Sequence, residues 1–167
     1  MRKGGRRSIR LSGYNYASNG AYFVTLCLNN PNNRLSDIDQ QGRVHLTDLG
    51  QLAQQIWQAI PAHFPDASTD SVVFMPDHVH GIIIIQRTAA EGVDTLLPPQ
   101  RGPAPKSLGA IIGQFKSSVA RQAGHRSIAI HAPLWQRNYY ERIIRSETGL
   151  ATVRRYIAEN PARWSRL

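Results

Sequence analysis

Eight consecutive residues constrain the fold of this chain more than any other stretch: a histidine–valine–histidine triplet followed by glycine and four isoleucines, at positions 78–85. An unbroken run of β-branched residues favours a strand and would anchor it in the centre of a sheet. On a strand, His78 and His80 point to the same face, so their imidazoles can converge on one metal ion. Two structural histidines in a sheet show the same pattern, so a metal site requires further ligands from elsewhere.

The remaining patterns predict a single α+β domain over residues 14–167, in which helices pack on one antiparallel sheet. The predicted strands are 21–28, 43–46, 71–75, 78–86 and part of 135–144, with a proline–aspartate turn or bulge at 76–77. The predicted helices are 47–60, 107–123 and 146–160. Pro61 and Pro65 are expected to end the first of them, and Pro161 the last. Residues 87–106 are predicted to form a surface loop because they hold four prolines and little periodicity.

The charge of the chain is strongly positive. Twenty lysines and arginines stand against 11 aspartates and glutamates in 167 residues, a formal net charge of +9 at pH 7, and only three of the basic residues are lysines. Arginine guanidinium groups bind phosphates through paired hydrogen bonds and stack on bases, so a nucleic-acid partner is the natural inference. Residues 1–13 are predicted to form a basic flexible arm.

Cysteine content and hydropathy exclude several classes of protein. The single cysteine, Cys27, rules out an internal disulfide and a multi-cysteine zinc site. No apolar run approaches the roughly 20 residues of a membrane span, and the basic N-terminus lacks the apolar core of a signal peptide. The expected location is therefore the cytoplasm, with no membrane partner.

A tyrosine on the predicted last helix is a candidate nucleophile. Tyr156 and Asn160 are four residues apart and so share a helical face. Arg154 and Arg155 precede the tyrosine, and nearby cations favour the ionised phenol, which can attack a phosphodiester. Asn160 could offer its carbonyl oxygen to the metal. A half-buried packing role explains Tyr156 equally well, and chemistry alone leaves three near-equal candidates: Tyr139, Tyr140 and Tyr156.

Several segments, in order along the chain, resemble the single-tyrosine HUH transposases, and among them most closely the REP-associated tyrosine transposases. The histidine–hydrophobic–histidine motif of that family matches residues 75–81, Met-Pro-Asp-His-Val-His-Gly. Supporting segments lie at 22–25, 108–117, 135–140 and 155–161. The resemblance runs from about Tyr14 to Trp164, and the motifs together are far more specific than the histidine pair or the tyrosine alone.

The resemblance implies a ferredoxin-like (RRM-like) antiparallel sheet packed with helices, the HUH endonuclease fold. It implies an enzyme that cleaves and rejoins single-stranded DNA at repeat-associated hairpins through a 5′-phosphotyrosine, with Mg²⁺ or Mn²⁺. It implies Tyr156 as the nucleophile, in a Tyr-Ile-x-x-Asn-Pro motif, with His78, His80 and Asn160 as the metal ligands. Tyr139 and Tyr140 match a strand motif of the family and are assigned to structure or to DNA contact.

DNA binding is assigned to basic and aromatic residues outside the predicted catalytic set. Single-stranded or hairpin DNA is the expected partner, in the cytoplasm and in association with the nucleoid. Phosphate contacts are expected from Arg2, Lys3, Arg6, Arg7, Arg10, Lys116, Arg121 and Arg137, which Arg142 and Arg145 could join. Stacking on unpaired bases is expected from Tyr14, Tyr16 and Trp135. For any single arginine, a solvated surface charge is the simpler alternative.

Two alternative functions remain open from the sequence. The first is a non-cutting module that recognises repeat hairpins, which would give no covalent product. The second is a small metal-dependent hydrolase with another substrate, which explains neither the arginine excess nor Tyr156. The chain could act as a monomer or as a homodimer.

Overall fold

The computed structural model describes residues 19–87 and 105–164. The elements in chain order are β1 (Gly20–Cys27), β2 (Ser36–Ile38), β3 (Val44–Leu46), α1 (Asp48–Gln58), α2 (Ile60–His63), β4 (Ala67–Phe74), β5 (His78–Ile85), α3 (Leu108–His125), β6 (Tyr140–Ile144) and α4 (Glu147–Trp164). Four strands form an antiparallel sheet in the order β4-β5-β1-β6, and β2 and β3 form a separate hairpin. The predicted α+β fold, an antiparallel sheet packed with helices, is confirmed.

Strand β5 occupies an interior position of the sheet, between β4 and β1. Ile82 and Ile83 are fully buried on opposite faces, as the unbroken isoleucine run predicts. The strand follows β4 through a tight turn at Pro76 and Asp77, closed by a hydrogen bond of 2.8 Å from the Met75 N–H to the His78 carbonyl. The turn places both histidines at the beginning of β5, at the end of the sheet where β4 and β5 are joined.

The sheet separates two apolar layers. On one face it packs against α1 and α3, where Trp57 and Phe115 meet edge to face at 5.4 Å between ring centroids. On the other face a smaller cluster packs Phe23 and Ile82 against α4. His80 lies on the α4 face, because its ring stacks on that of Phe23. The histidine pair and α4 therefore share one side of the sheet.

Capping residues begin the first and third helices where the sequence predicts. The Thr47 side chain accepts a hydrogen bond from the Gly50 N–H at 3.1 Å, and the Ser107 side chain accepts one from the Ala110 N–H at 3.3 Å. The prediction that Pro61 ends its helix was wrong in detail, since Pro61 lies in the first turn of α2, where a missing N–H costs nothing.

The prediction that Pro161 ends the last helix was also wrong. α4 continues through Pro161 to Trp164, with the proline itself buried. The Trp164 ring lies 6.0 Å from that of His78, and Gly42 in the β2–β3 turn lies against Ala162. These tertiary contacts keep the final turn helical although proline lacks the N–H for its intrahelical bond.

Strand β2 was not predicted, and β4 begins four residues before its predicted start at 71.

Three predictions concern residues outside the described ranges: the basic arm at 1–13, most of the loop at 87–106, and the stacking residues Tyr14 and Tyr16. Within residues 19–87 and 105–164, no helix has the length and apolar character needed to cross a membrane.

Candidate active site

The two histidines of β5 converge through the same ring nitrogen. Nε2 of His78 lies 3.0 Å from Nε2 of His80, and the rings meet at 69° with centroids 4.4 Å apart. Alternation along the strand puts both side chains on one face, as the sequence predicts. Two ligand atoms of one octahedral ion, each about 2.1 Å from it, lie about 3 Å apart. The spacing of the two nitrogens therefore suits a shared divalent cation.

The other nitrogen of each ring is held by a neighbour. Nδ1 of His78 donates to Oδ1 of Asp77 at 2.6 Å, because a carboxylate can only accept. This contact leaves a lone pair on Nε2 of neutral His78. Nδ1 of His80 lies 2.9 Å from the Thr25 hydroxyl, which can donate or accept, so His80 can carry its proton on either nitrogen. Asp77 and Thr25 are thus the residues that orient the pair.

The protonation of His80 follows from where it lies. Burial of its ring and the nearby His78 lower the pKa of His80 from 6.5 to about 4, against an opposing effect of Asp77. The imidazole is therefore neutral at physiological pH, and a neutral imidazole is the form that binds a metal ion.

Helix α4 brings a tyrosine onto this pair. The Tyr156 hydroxyl lies 3.5 Å from Nε2 of His80, and the two rings are 5.3 Å apart. The Phe23 ring meets the Tyr156 ring at 87° with the centroids 5.9 Å apart, and it stacks on the His80 ring, so one buried side chain supports both. The tyrosine side chain is still 37% exposed, so a bound substrate can reach its oxygen.

Asn160 belongs to the same stripe of α4. Tyr156, Asn160 and Trp164 are spaced four residues apart, and the first and last contact His80 and His78 respectively. Asn160 is partly buried between them. Among the described residues, no group of three or more His, Cys, Asp or Glu side chains could hold a metal ion. The residues that could hold a divalent ion here are the two imidazoles and the Asn160 amide, a donor set without a carboxylate, and this ligand set stays a prediction.

An ion pair ties α4 to the sheet two residues before the tyrosine. Arg154 binds Asp70 of β4 through two hydrogen bonds, of 2.6 and 2.9 Å. The hydrogen bond from Arg154 is the main reason why the pKa of Asp70 falls from 3.8 to about 2. Arg154 is therefore held by Asp70, and the guanidinium that lies over the Tyr156 ring is that of Arg163, 5.9 Å from the ring centroid and itself paired with Glu159 at 2.7 Å.

The predicted DNA-binding residues are dispersed. The Lys116 ammonium donates to the carbonyls of Gln136 and Asn138 at 2.9 and 3.2 Å, and burial lowers its pKa from 10.5 to about 8. Arg121 is exposed on α3, on the sheet face away from α4. Arg137 is exposed in the loop before β6. The neighbouring Gln136 N–H donates a hydrogen bond to the carbonyl of Cys27 at the end of β1. A role of these residues in DNA binding stays a prediction, and the arm residues Arg2, Lys3, Arg6, Arg7 and Arg10 lie outside the described ranges.

The prediction that Trp135 stacks on unpaired bases was wrong. Its side chain is 8% exposed and its ring packs against Phe115 at 5.7 Å, so it belongs to the core. Sequence reasoning also missed Thr25, Phe23 and Trp164 as neighbours of the histidines and treated Asp77 only as a turn residue. Asp77 could have been predicted as a partner of His78 because the two are adjacent in the sequence. The roles of Thr25, Phe23 and Trp164 depend on contacts between distant segments.

Comparisons with known proteins give the family and the fold of the chain. No protein-family model matches the chain. A protein of Haemophilus influenzae strain Rd, described as uncharacterized, is 39% identical over 165 residues, which cover 95% of this chain and 89% of that protein. A solved structure of a REP-associated tyrosine transposase bound to a REP hairpin is 18% identical, with a TM-score of 0.59 over 98% of this chain and 74% of its own. The chain therefore belongs to the same family as the Haemophilus influenzae protein, and it has the fold of the REP-associated tyrosine transposase.

Proposed function

We propose that the protein is a single-stranded DNA transposase that cleaves and rejoins DNA at hairpin sequences, with Tyr156 as its nucleophile. The observation that carries the proposal is the 3.5 Å distance between the Tyr156 hydroxyl and Nε2 of His80, at a pair of histidines that converge through their Nε2 atoms. The shared fold with a transposase bound to a REP hairpin supports DNA of this kind as the substrate. The net charge of +9 supports a polyanionic partner.

In the proposed reaction the Tyr156 oxygen attacks the phosphorus of the scissile phosphodiester. A bond forms between the phenol oxygen and phosphorus, the bond from phosphorus to the 3′ oxygen breaks, and the phenol proton ends on that 3′ oxygen. The products are a 5′-phosphotyrosine and a free 3′-hydroxyl, and attack by another 3′-hydroxyl rejoins the DNA. Phe23 and the ion pair between Arg154 and Asp70 hold the tyrosine towards the histidines.

We further propose that His78, His80 and Asn160 hold Mg²⁺ or Mn²⁺. A divalent ion would supply positive charge to the phosphate oxygens as negative charge builds on them. Asp77 keeps the proton of His78 on Nδ1, and His80 is neutral at physiological pH, so both Nε2 atoms can offer a lone pair. Deprotonated donors of this kind are what metal affinity requires.

The test of the function is a covalent trapping experiment. The full chain is incubated with 5′- and 3′-labelled single-stranded hairpins that carry unpaired flanks, with Mn²⁺ or with EDTA. We expect a protein-linked labelled band that survives boiling in SDS, forms only with Mn²⁺, and retains the label on the 3′ side of the cut. Binding of the hairpins without any such band would contradict the proposal and indicate the non-cutting module.

Asp77 provides a separate test of the metal site. In Asp77→Asn the charge that holds the Nδ1 proton of His78 is lost, so we expect Mn²⁺ affinity to fall about 10-fold. Asp37→Asn is the matched control, since the Asp37 and Asp77 side chains are 66% and 60% exposed and Asp37 pairs with Arg34 instead of with a histidine. Titration of Mn²⁺ followed by electron paramagnetic resonance measures both. Equal affinities in the two variants would remove Asp77 from the site.

A further inference from the structure

Strand β6 carries an aromatic side chain on the same sheet face as the candidate active site. Tyr140 of β6 pairs in register with Thr25 of β1, and Thr25 pairs in register with His80 of β5. Residues directly opposite on neighbouring strands share a face of the sheet. Because strands lie about 4.8 Å apart, the backbone of Tyr140 is about 10 Å from that of His80, on the opposite side of Thr25.

Helix α4 leaves this part of the face open. The helix begins beside Ile144, the last residue of β6, where the Cβ of a residue at Gly149 would lie 3.5 Å from the isoleucine. From there it crosses towards Asp70 on β4 at the opposite edge of the sheet. Tyr140 is 45% exposed and Tyr156 is 37% exposed, and these are the two exposed large hydrophobic side chains among residues 19–87 and 105–164.

The exposed surface also carries an arginine. Arg142 pairs in register with Phe23, so it lies on the α4 face beside Tyr140, and it is exposed. Within the described ranges, no acidic side chain forms an ion pair with Arg142. An aromatic ring next to an unpaired guanidinium suits the two parts of a nucleotide, because the ring can stack on the base and the guanidinium can bind the phosphate.

We propose that Tyr140 is a base-stacking residue that, with Arg142, holds an unpaired nucleotide of the DNA next to the bond to be cut. Four-stranded sheets bind single-stranded nucleic acid in this way, through exposed aromatic rings on the sheet face. Stacking leaves the Tyr140 hydroxyl uninvolved, so Tyr140 positions the strand and Tyr156 reacts with it. This role rests on the proposed function, because it places the DNA beside His80 and Tyr156.

Two substitutions of Tyr140 distinguish the effect of its aromatic ring from the effects of its hydroxyl and of its apolar bulk. Tyr140→Phe keeps the ring, and Tyr140→Leu keeps apolar bulk at an exposed edge-strand position but removes the ring. The probes are fluorescein-labelled dT20 and a 20-mer of abasic sites, measured by fluorescence anisotropy with EDTA present so that no cleavage occurs. We expect wild type and Tyr140→Phe to bind dT20 equally and Tyr140→Leu to bind it roughly 5- to 150-fold more weakly, the range for one lost stacking contact.

The abasic probe identifies stacking. Tyr140→Leu is expected to bind the abasic 20-mer as wild type does, whereas Arg142→Ala is expected to weaken both probes because it removes a phosphate contact. Arg34→Ala is the charge control, because it removes an arginine that is already paired with Asp37, at 2.8 Å. Unchanged dT20 binding in Tyr140→Leu, or no dT20 binding by wild type, would overturn the inference.

Covalent trapping with Mn²⁺ distinguishes this inference from the proposed function. If wild type gives no protein-linked band but Tyr140→Leu still loses its preference for dT20 over the abasic probe, the cleavage proposal fails and the stacking role stands. If Tyr140→Phe binds normally but loses the band, Tyr140 is a reacting group and the stacking role is overturned.

Discussion

Replacing Tyr156 with phenylalanine is expected to abolish the covalent protein–DNA product, by at least about three orders of magnitude in rate. The variant lacks the oxygen that would bond to phosphorus, and no other group can substitute for a missing nucleophile at the same place. The ring contacts with Phe23 and His80 do not require the hydroxyl, so the fold and the binding of hairpin DNA should be retained. Single-turnover trapping with Mn²⁺ measures the rate, and anisotropy in EDTA measures binding.

The matched control is Tyr140→Phe, which removes a hydroxyl from the other exposed tyrosine of the same sheet face. It should form the covalent product at the wild-type rate. A product that persists in Tyr156→Phe and disappears in a variant of Tyr139 or Tyr140 would show that the nucleophile had been assigned to the wrong residue. A product that disappears together with DNA binding would instead show that Tyr156 is needed to hold the substrate.

Replacing Gly81 with alanine is expected to lower the free energy of unfolding by about 1–3 kcal/mol. Gly81 follows His80 in β5 and faces the other side of the sheet, where an added Cβ would lie 2.5 Å from Cζ2 of Trp57 and 2.7 Å from Cη2. The Trp57 ring is 1% exposed and packs against Phe115, so it has little room to move away. Because the same backbone carries His80, the displacement should also weaken Mn²⁺ binding.

Gly113→Ala provides the control for Gly81→Ala. Gly113 lies on the exposed side of α3, and an added Cβ there meets nothing within 4 Å. Alanine inside a helix is favoured over glycine, so this variant should be unchanged or more stable by up to about 1 kcal/mol. Urea unfolding followed by tryptophan fluorescence measures both. A Gly81→Ala protein as stable as wild type would contradict the close packing of Trp57 on β5, whereas partial recovery in Gly81→Ala with Trp57→Phe would support it.

The tyrosines show where local patterns stop being informative. Residue chemistry left Tyr139, Tyr140 and Tyr156 near-equal, and the resemblance to a family selected Tyr156. The structure separates them by position: Tyr156 lies over His80, Tyr140 lies two strands away on the same face, and the Tyr139 ring lies under the Lys116 ammonium at 5.5 Å. The contact between Tyr156 and His80 joins residues 76 positions apart. A residue pattern within one segment cannot predict a contact between residues so far apart in the chain.

Pro161 and two charged residues also have contacts that their neighbours in the sequence do not predict. Pro161 is a helix breaker by its covalent structure, yet α4 continues through it because Trp164 and Ala162 have partners elsewhere in the fold. Arg154 was expected to act on Tyr156 because it is near in sequence, but it binds Asp70, 84 positions away. The Lys116 ammonium donates to two backbone carbonyls, of Gln136 and Asn138, which its place in the sequence does not reveal, and its assignment to DNA binding stays a prediction.

The sequence by itself determined the strand of the histidine pair, the single face that both histidines share, where α1 and α3 begin, and the α+β class. Each of these depends on side-chain alternation, branching at Cβ or hydrogen bonds within a few residues, which are local properties of the chain. Only the tertiary structure decided that α4 lies over His78 and His80, that Asp77 and Thr25 orient the two rings, that Trp135 is buried, and that Tyr140 stays exposed beside the site. These features depend on which faces pack together, because burial and long-range contacts arise from the whole chain at once.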